Sequence, residues 1–422
     1  MPTIEGDRCP TCATALTRLP EAEPWCGACE WNLDHFAENP HDSWFWRRMS
    51  RSDHEAGFRS HRLLAETAAP VLSRNHRFLV ALSSAVMMAM LALIAGGLVL
   101  IILGGPFFPI VLGLVLLFLA VLIRPRFTRL KRLLKNSYRV EITNAPAIHT
   151  LIDRIAAELD APKPDVLLFD FAWNAGVTTV GPRPLRVLTI GVPLLLVLTP
   201  AQLVAVLGHE LGHLKYADVR RGTLTSPARY TFGRLSRLVR PPRISAWELG
   251  LNPPATIALF LWQVIGGSIS WLLFAAHVGV NVLGAQDDRT VELRADAAAA
   301  RVAGSATALE TMDVLAMLPT LTGYVQHYVP KGEAAATWRR MLRAVREREI
   351  ETAPAWRQLS IRTHATLFAS HPPAGRRHQW LAAQPPSDAA VLLDEEQAAA
   401  LEKEIGPYAE ALHRTMLRHV TE

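Results

Sequence analysis

The chain has 422 residues, long for one compact core, so two or three domains are expected. Half of its residues are apolar, which is high for a soluble protein, and its net charge is +6. That charge suits nucleic acid or an anionic membrane surface, but it flanks apolar runs rather than forming one basic block, so the membrane is favoured and no nucleic acid is expected.

In chain order, residues 1–38 come first as a small unit. They hold all four cysteines, as Cys9-Pro-Thr-Cys12 and Cys26-Gly-Ala-Cys29. Two Cys-x-x-Cys knuckles with a short insert match tetrahedral metal coordination, and so short a segment needs a metal to fold. A structural zinc ribbon is the expected reading; rubredoxin-like iron or two disulfides are the alternatives. No short apolar segment with a cleavage site opens the chain, so no secretory signal peptide is expected.

Residues 39–76 read as a polar juxtamembrane linker. Its cluster Trp44-Phe45-Trp46-Arg47-Arg48 suits a membrane–water interface, or equally a helix packed on the ribbon or on the domain that follows. Residues 77–124 hold two uncharged runs, Phe78 to Leu103 and Phe107 to Ile123, separated by Gly104-Gly105-Pro106. Each approaches the roughly 20 residues that a spanning helix needs. Arg74 and Arg77 precede them, and Arg124, Arg126, Arg129, Lys131 and Arg132 follow. By the positive-inside rule this is a transmembrane hairpin with both ends cytoplasmic.

Residues 125–422 read as the main domain. Ile148, Leu151, Ile152, Ile155 and Leu159 recur at helical spacing. Short strands are expected at 166–169, 177–180 and 187–190, with Gly181-Pro182-Arg183-Pro184 turning between the last two. Thr199-Pro200-Ala201-Gln202 carries a capping box with proline in the first turn, so a helix starts there. Residues 220–243 look like a basic amphipathic helix, and residues 255–283 form a further apolar segment.

The capped helix contains His209-Glu210-Leu211-Gly212-His213. Histidines four apart share one helix face, so both can hold one metal, and Glu210 can reach a water at that metal. Glu292, in Glu292-Leu-Arg-Ala-Asp296, is the candidate third ligand, leaving a fourth position open. Asp296, one turn later, can accept from the distal nitrogen of a ligand histidine and fix its tautomer.

With these residues the chain resembles the HtpX-like membrane zinc peptidases, a family that includes the CAAX prenyl endopeptidases. The resemblance covers roughly residues 138 to 380. It rests on Asn144-Ala-Pro-Ala, Pro162-Lys-Pro-Asp, Trp173-Asn174-Ala175-Gly176, the run from Leu203 to His213, Asp218, Glu292-x-x-x-Asp296 and His371-Pro372-Pro373. It implies a mostly α fold with a small β-sheet, a zincin-like domain of the gluzincin type, beside the hairpin and the ribbon. It implies one catalytic zinc in addition to the ribbon's. It places Asn174 on the strand that meets the substrate backbone, His371 near the oxyanion, and Arg377 in support of that region. Three features depart from the family pattern. Gly176 stands where a bulky residue is usual, Leu293 replaces a frequent aromatic, and the first of two usual spans between the zinc helix and the third ligand is here basic and amphipathic.

For Glu292 to meet His213, the chain between them must cross a bilayer an even number of times. Residues 255–283 are too few for two crossings, which need about 40 residues. Either that segment dips into the membrane or is buried, which is the favoured expectation, or the amphipathic stretch crosses as well. The expected function is a membrane-anchored zinc endopeptidase acting on membrane or misfolded proteins at the cytoplasmic face, with the ribbon free to recruit a protein partner. The alternatives are a prenyl-protein endopeptidase and a catalytically idle membrane scaffold.

Overall fold

The computed structural model describes residues 8–20, 22–67, 75–105, 107–124, 129–181, 184–216, 218–242, 244, 248, 250, 252–327, 334–369 and 371–421. The flanking Arg74 and Arg126 and the Pro182-Arg183 turn lie outside them, as does the side chain of Asp218.

The elements run α1 (Trp44–Ala65), α2 (Asn75–Leu103), α3 (Phe108–Ile123), α4 (Leu130–Leu133), β1 (Ser137–Arg139), α5 (Pro146–Leu159) and β2 (Val166–Asp170). Then come β3 (Ala175–Val180), β4 (Leu185–Gly191), α6 (Val192–Val197), α7 (Pro200–Lys215), α8 (Asp218–Val239) and α9 (Pro253–Ala303). The rest is helical: α10 (Ser305–Ala316), α11 (Leu318–His327), α12 (Ala334–Glu349), α13 (Ala353–Thr363), α14 (Ala374–Ala382) and α15 (Glu395–Thr421). The fold is therefore mostly α with one small sheet. It divides into two compact units: residues 1–71, 128–219 and 288–422 form the first, and residues 72–127 and 220–287 the second.

In the first unit the four strands pair in the order β1-β2-β4-β3, with β2 and β4 parallel and the other pairs antiparallel. Both faces of β2 are covered. Leu167 and Phe169 join the main core with α5 and α7, while Val166 and Leu168 pack with Val187 beneath Leu130, Leu133 and Leu134. That explains the unbroken apolar run of this strand. β3 lies at an edge of the sheet, so one side of its backbone is not paired within it.

The capping box at the start of α7 forms. Gln202 N donates to Thr199 Oγ1 at 3.3 Å, and Thr199 N donates to Gln202 Oε1 at 3.1 Å. The other determinant of α7 is its glycines. A Cβ on Gly208 would lie 2.3 Å from Val302 Cγ2 and 3.1 Å from Ala299 Cα. A Cβ on Gly212 would lie 3.0 Å from Ala298 Cβ and 3.1 Å from Ala295 Cα. Two glycines one turn apart thus face the alanine-rich end of α9, and the two backbones approach closely.

The N-terminal residues fold on this same unit. Trp25 and Leu33 of the ribbon are fully buried against Leu359 and Ile361. α1 buries His54, Gly57 and His61 and leaves Trp44, Phe45 and Trp46 exposed. It is therefore a helix packed on the domain along one face, with an aromatic cluster left bare at its start.

The second unit is helical. α2 and α9 are each long and apolar enough to cross a membrane, and α3 is a shorter apolar helix. α2 and α3 meet at Gly97 and Gly113, where a Cβ on either would lie under 3 Å from the other's carbonyl oxygen. Small residues at such a crossing are the usual device for packing helices in lipid. α8 joins α2 and α9 through Ala228, Leu79 and Val280. Pro227 sits inside α8, and the next amide, Ala228 N, donates to Ser83 Oγ of α2 at 3.2 Å. Ser236 and Ser270 exchange hydroxyl-to-carbonyl bonds of 2.9 Å. Phe260, Trp262, Ile265, Trp271 and Leu272 of α9 are exposed.

Gly208→Val should test the α7–α9 contact. The added methyls meet the backbone of Ala299, and overpacking of this kind costs about 1–3 kcal/mol. The expected result is a lowered Tm in detergent solution; an unchanged Tm would mean that the helices do not pack this closely.

Candidate metal centre

His209 and His213 project from one face of α7 toward Glu292 on α9. The two Nε2 atoms are 3.2 Å apart, and each is 3.5 Å from a Glu292 carboxylate oxygen. Two bonds of about 2.0–2.1 Å at a tetrahedral zinc place their donor atoms roughly 3.3–3.4 Å apart, so these separations fit a three-donor zinc site with one position open. Glu292 is 4% exposed, and its Oε2 is a buried oxygen without a hydrogen-bond donor. Two nitrogens facing each other beside a carboxylate oxygen without a hydrogen-bond donor form a group that could hold a cation. Glu210, the next residue after His209, is also buried.

The charges around the donors are arranged in depth. His209 Nδ1 donates to Asp296 Oδ1 at 3.0 Å, which leaves Nε2 as the free donor of that ring. Asp296 is 1% exposed and forms a two-pronged pair with Arg377, through Nε at 2.8 Å and through Nη2. Arg377 also lies 3.6 Å from Glu292 Oε2. His371 donates from Nδ1 to Glu292 Oε1 at 2.8 Å, and its ring is otherwise exposed. That bond raises the basicity of His371. For His209, burial lowers the proton affinity, but Asp296 and Glu292 outweigh it and raise the pKa to about 10.

The structure thus brings together seven residues singled out in the sequence: His209, Glu210, His213, Glu292, Asp296, His371 and Arg377. Arg377 pairs directly with Asp296. Asn174 is exposed, one residue before the edge strand β3, with its carbonyl accepting from Gly191 N at 2.8 Å. Asp218 opens α8 just beyond α7.

A second donor group lies in the ribbon. All four cysteines are free thiols gathered together, with Cys9 and Cys26 buried. The sulfurs of Cys9 and Cys29 are 3.5 Å apart and those of Cys12 and Cys26 3.4 Å apart. A disulfide has about 2.05 Å, so the structure shows a four-thiol site and not two bridges. No spacing in the sequence pointed to the contacts of Arg376, beside Arg377, with Glu30, beside Cys29.

Comparison with known proteins agrees with this geometry. Residues 143–384 match the model of peptidase family M48. A protease HtpX homolog of Methanothermobacter thermautotrophicus is 37% identical over 128 residues, 29% of this chain and 47% of the relative. Protease HtpX homolog 1 of Streptomyces coelicolor is 31% identical over 172 residues, 40% of this chain and 53% of the relative. A protease HtpX homolog of Acidiphilium cryptum is 29% identical over 239 residues, 55% of this chain and 71% of the relative. The chain spans about half the length of the first two. No solved structure gives a significant match.

His209 carries a proton in the metal-free site. At pH 7, below its pKa of about 10, the metal-free site is protonated, so metal uptake must release that proton, and affinity must fall as pH falls. Calorimetric titration of zinc into metal-depleted protein in buffers of different ionisation heat should show at least one proton released at the histidine site. Uptake without proton release would contradict this account of the site.

Proposed function

The chain belongs to peptidase family M48, and from that premise we propose that it is a membrane-anchored, zinc-dependent endopeptidase. The observation that carries the proposal is the three-donor group on α7 and α9 with Glu210 beside it.

His209, His213 and Glu292 would hold the zinc. When bound, that ion would polarise the scissile carbonyl and lower the pKa of water. Glu210 would take a proton from the attacking water and deliver it to the leaving amine. Asp296 keeps His209 in the tautomer that binds through Nε2, and Arg377 keeps Asp296 in place. His371, on the loop before α14, is exposed on the side away from Glu292 and is assigned to the oxyanion. The substrate is read as an added strand along the open edge of β3, starting beside Asn174. Asp218, which opens α8, is assigned a supporting role. The ribbon would hold a second, structural zinc in its four thiolates.

The membrane reading rests on α2, α3 and α9. At 1.5 Å per residue, residues 255–283 extend roughly 43 Å as a helix, enough to cross a hydrocarbon core of about 30 Å, and would lie in the bilayer. Packing of α8 on α2 and α9 supports a crossing by α8 as well, which keeps the number of crossings even. Basic residues around the hairpin support placing the ribbon and the catalytic residues on the cytoplasmic side. The curated relatives are named as proteases. By analogy, the substrates proposed here are membrane or misfolded proteins presented at that face.

The test contrasts two glutamates in detergent-purified full-length protein. Glu210→Gln should lower casein cleavage by about 100- to 10,000-fold or more while zinc content stays at the wild-type level. Glu292→Gln should lower both, because a metal donor is weakened. 1,10-Phenanthroline should stop cleavage while a metal remains in the ribbon. Cleavage by Glu210→Gln at the wild-type rate would refute the mechanism, and the opposite pattern of zinc loss would reverse the two roles.

A further inference from the structure

The ribbon and the metal centre are joined by α14, through two successive residues that face opposite ways. Arg377, with Trp380 and Leu381 one turn on, faces α9: the arginine pairs with Asp296, and Trp380 and Leu381 pack with Leu293, Ala300 and Met312. Arg376 and Gln379 face the ribbon. Arg376 donates from Nη1 and Nη2 to the two oxygens of Glu30 at 2.7 and 2.9 Å, and Gln379 Nε2 donates to Glu30 Oε1 at 2.8 Å. The Arg376 side chain is 4% exposed and stacks on Phe58 of α1, 5.0 Å from the ring centroid. Burial works against the Glu30 charge, but Arg376 and Gln379 hold its carboxyl below the usual range.

Glu30 is also an unusual residue for its position. In each cysteine knuckle the amide after the second cysteine donates back to the first: Ala13 N to Cys9 O at 2.9 Å, and Glu30 N to Cys26 O at 3.1 Å. Both residues have φ of 59°, a left-handed conformation that glycine adopts freely and other residues adopt at a cost. A glutamate held there by the turn presents its carboxylate to α14. Observed strain at a junction is grounds for asking what it does.

α1 fixes the other approach to α14. Asp53 accepts from Thr366 Oγ1 at 2.6 Å and from Leu367 N at 3.0 Å, and a Cβ on Gly57 would lie 2.7 Å from Thr366 N. The segment so clamped leads directly to His371.

We infer that the ribbon is an internal brace for the metal centre, with Glu30 and Arg376 as positioning residues that hold α14 so that Arg377 fixes Asp296 and His209. The ribbon's metal then sets the geometry of Glu30, and the state of the ribbon is transmitted to the histidine site. This rests on the peptidase reading, and it gives the ribbon a role within its own chain rather than in recruiting a partner.

Glu30→Gly in full-length detergent-purified protein separates the two functions of Glu30. Glycine suits the left-handed turn and leaves the cysteines untouched, so the ribbon should keep its metal. The metal at His209, His213 and Glu292 should exchange into a chelator about tenfold faster, the lower end of the effect of losing a residue that supports a metal donor. In cobalt-substituted protein, the ligand-field bands of the histidine site should shift while the thiolate bands of the ribbon stay. kcat should fall with KM nearly unchanged. Arg376→Gln should give the same exchange rate, and the double variant should be no worse than either single one. Wild-type exchange and wild-type cobalt bands in Glu30→Gly would overturn the inference while leaving the peptidase reading intact. Wild-type protein that holds no metal at the histidine site would overturn both.

Discussion

Gly208 and Gly212 set how closely α7 can approach α9, and the metal centre depends on that approach. With hydrogen at both positions, α7 rests on Ala295, Ala298 and Ala299. The two histidines then meet a carboxylate from a helix more than 70 residues further along the chain. The donor separations of 3.2 to 3.5 Å follow from this contact and need no further adjustment to suit zinc. The small residues in the His-Glu-Leu-Gly-His run are thus as necessary as its charged ones.

The second constraint is charge. Glu210, Glu292 and Asp296 are buried around one guanidinium, that of Arg377. Once His209 has released its proton, the carboxylates outnumber the guanidinium, an excess that a divalent cation offsets. Ionised groups buried without partners cost several kcal/mol each, and breaking a buried pair costs about 3–5 kcal/mol, a large share of a typical stability of 5–15 kcal/mol. The Arg377–Asp296 pair is therefore part of the fold as well as of the site. It also explains why α14 cannot drift: the same short helix is pinned by Arg377 on one side and by Arg376 on the other.

Much of this was legible in the sequence where the signal is local. The Thr199-Pro200-Ala-Gln202 cap, the i, i+4 histidines, the i, i+4 pair Glu292 and Asp296, the knuckle cysteines and the apolar runs each have a spacing fixed by helix, turn or bilayer geometry. α9 was less legible. An apolar segment over 255–283 was expected where one helix runs from Pro253 to Ala303. No proline interrupts it, and Gly279 and Gly284 each cost a helix only about 1 kcal/mol. The bonds from Glu30 to Arg376 and from Asp53 to Thr366 had no sequence signal. They join residues more than 300 positions apart, and single charged residues carry no periodicity. Arg377 was singled out through family resemblance, but its pairing with Asp296 emerged only from the packing of α14 on α9.

The central claim is that α7 and α9 together build a zinc site distinct from the ribbon. Zinc K-edge X-ray absorption on the full-length protein with both sites loaded tests it most directly. The account predicts an average shell of about two sulfurs near 2.3 Å and about two nitrogens or oxygens near 2.0–2.1 Å per zinc, from one four-sulfur site and one histidine–carboxylate site. A shell of sulfur alone would mean that His209, His213 and Glu292 hold no zinc and would contradict it.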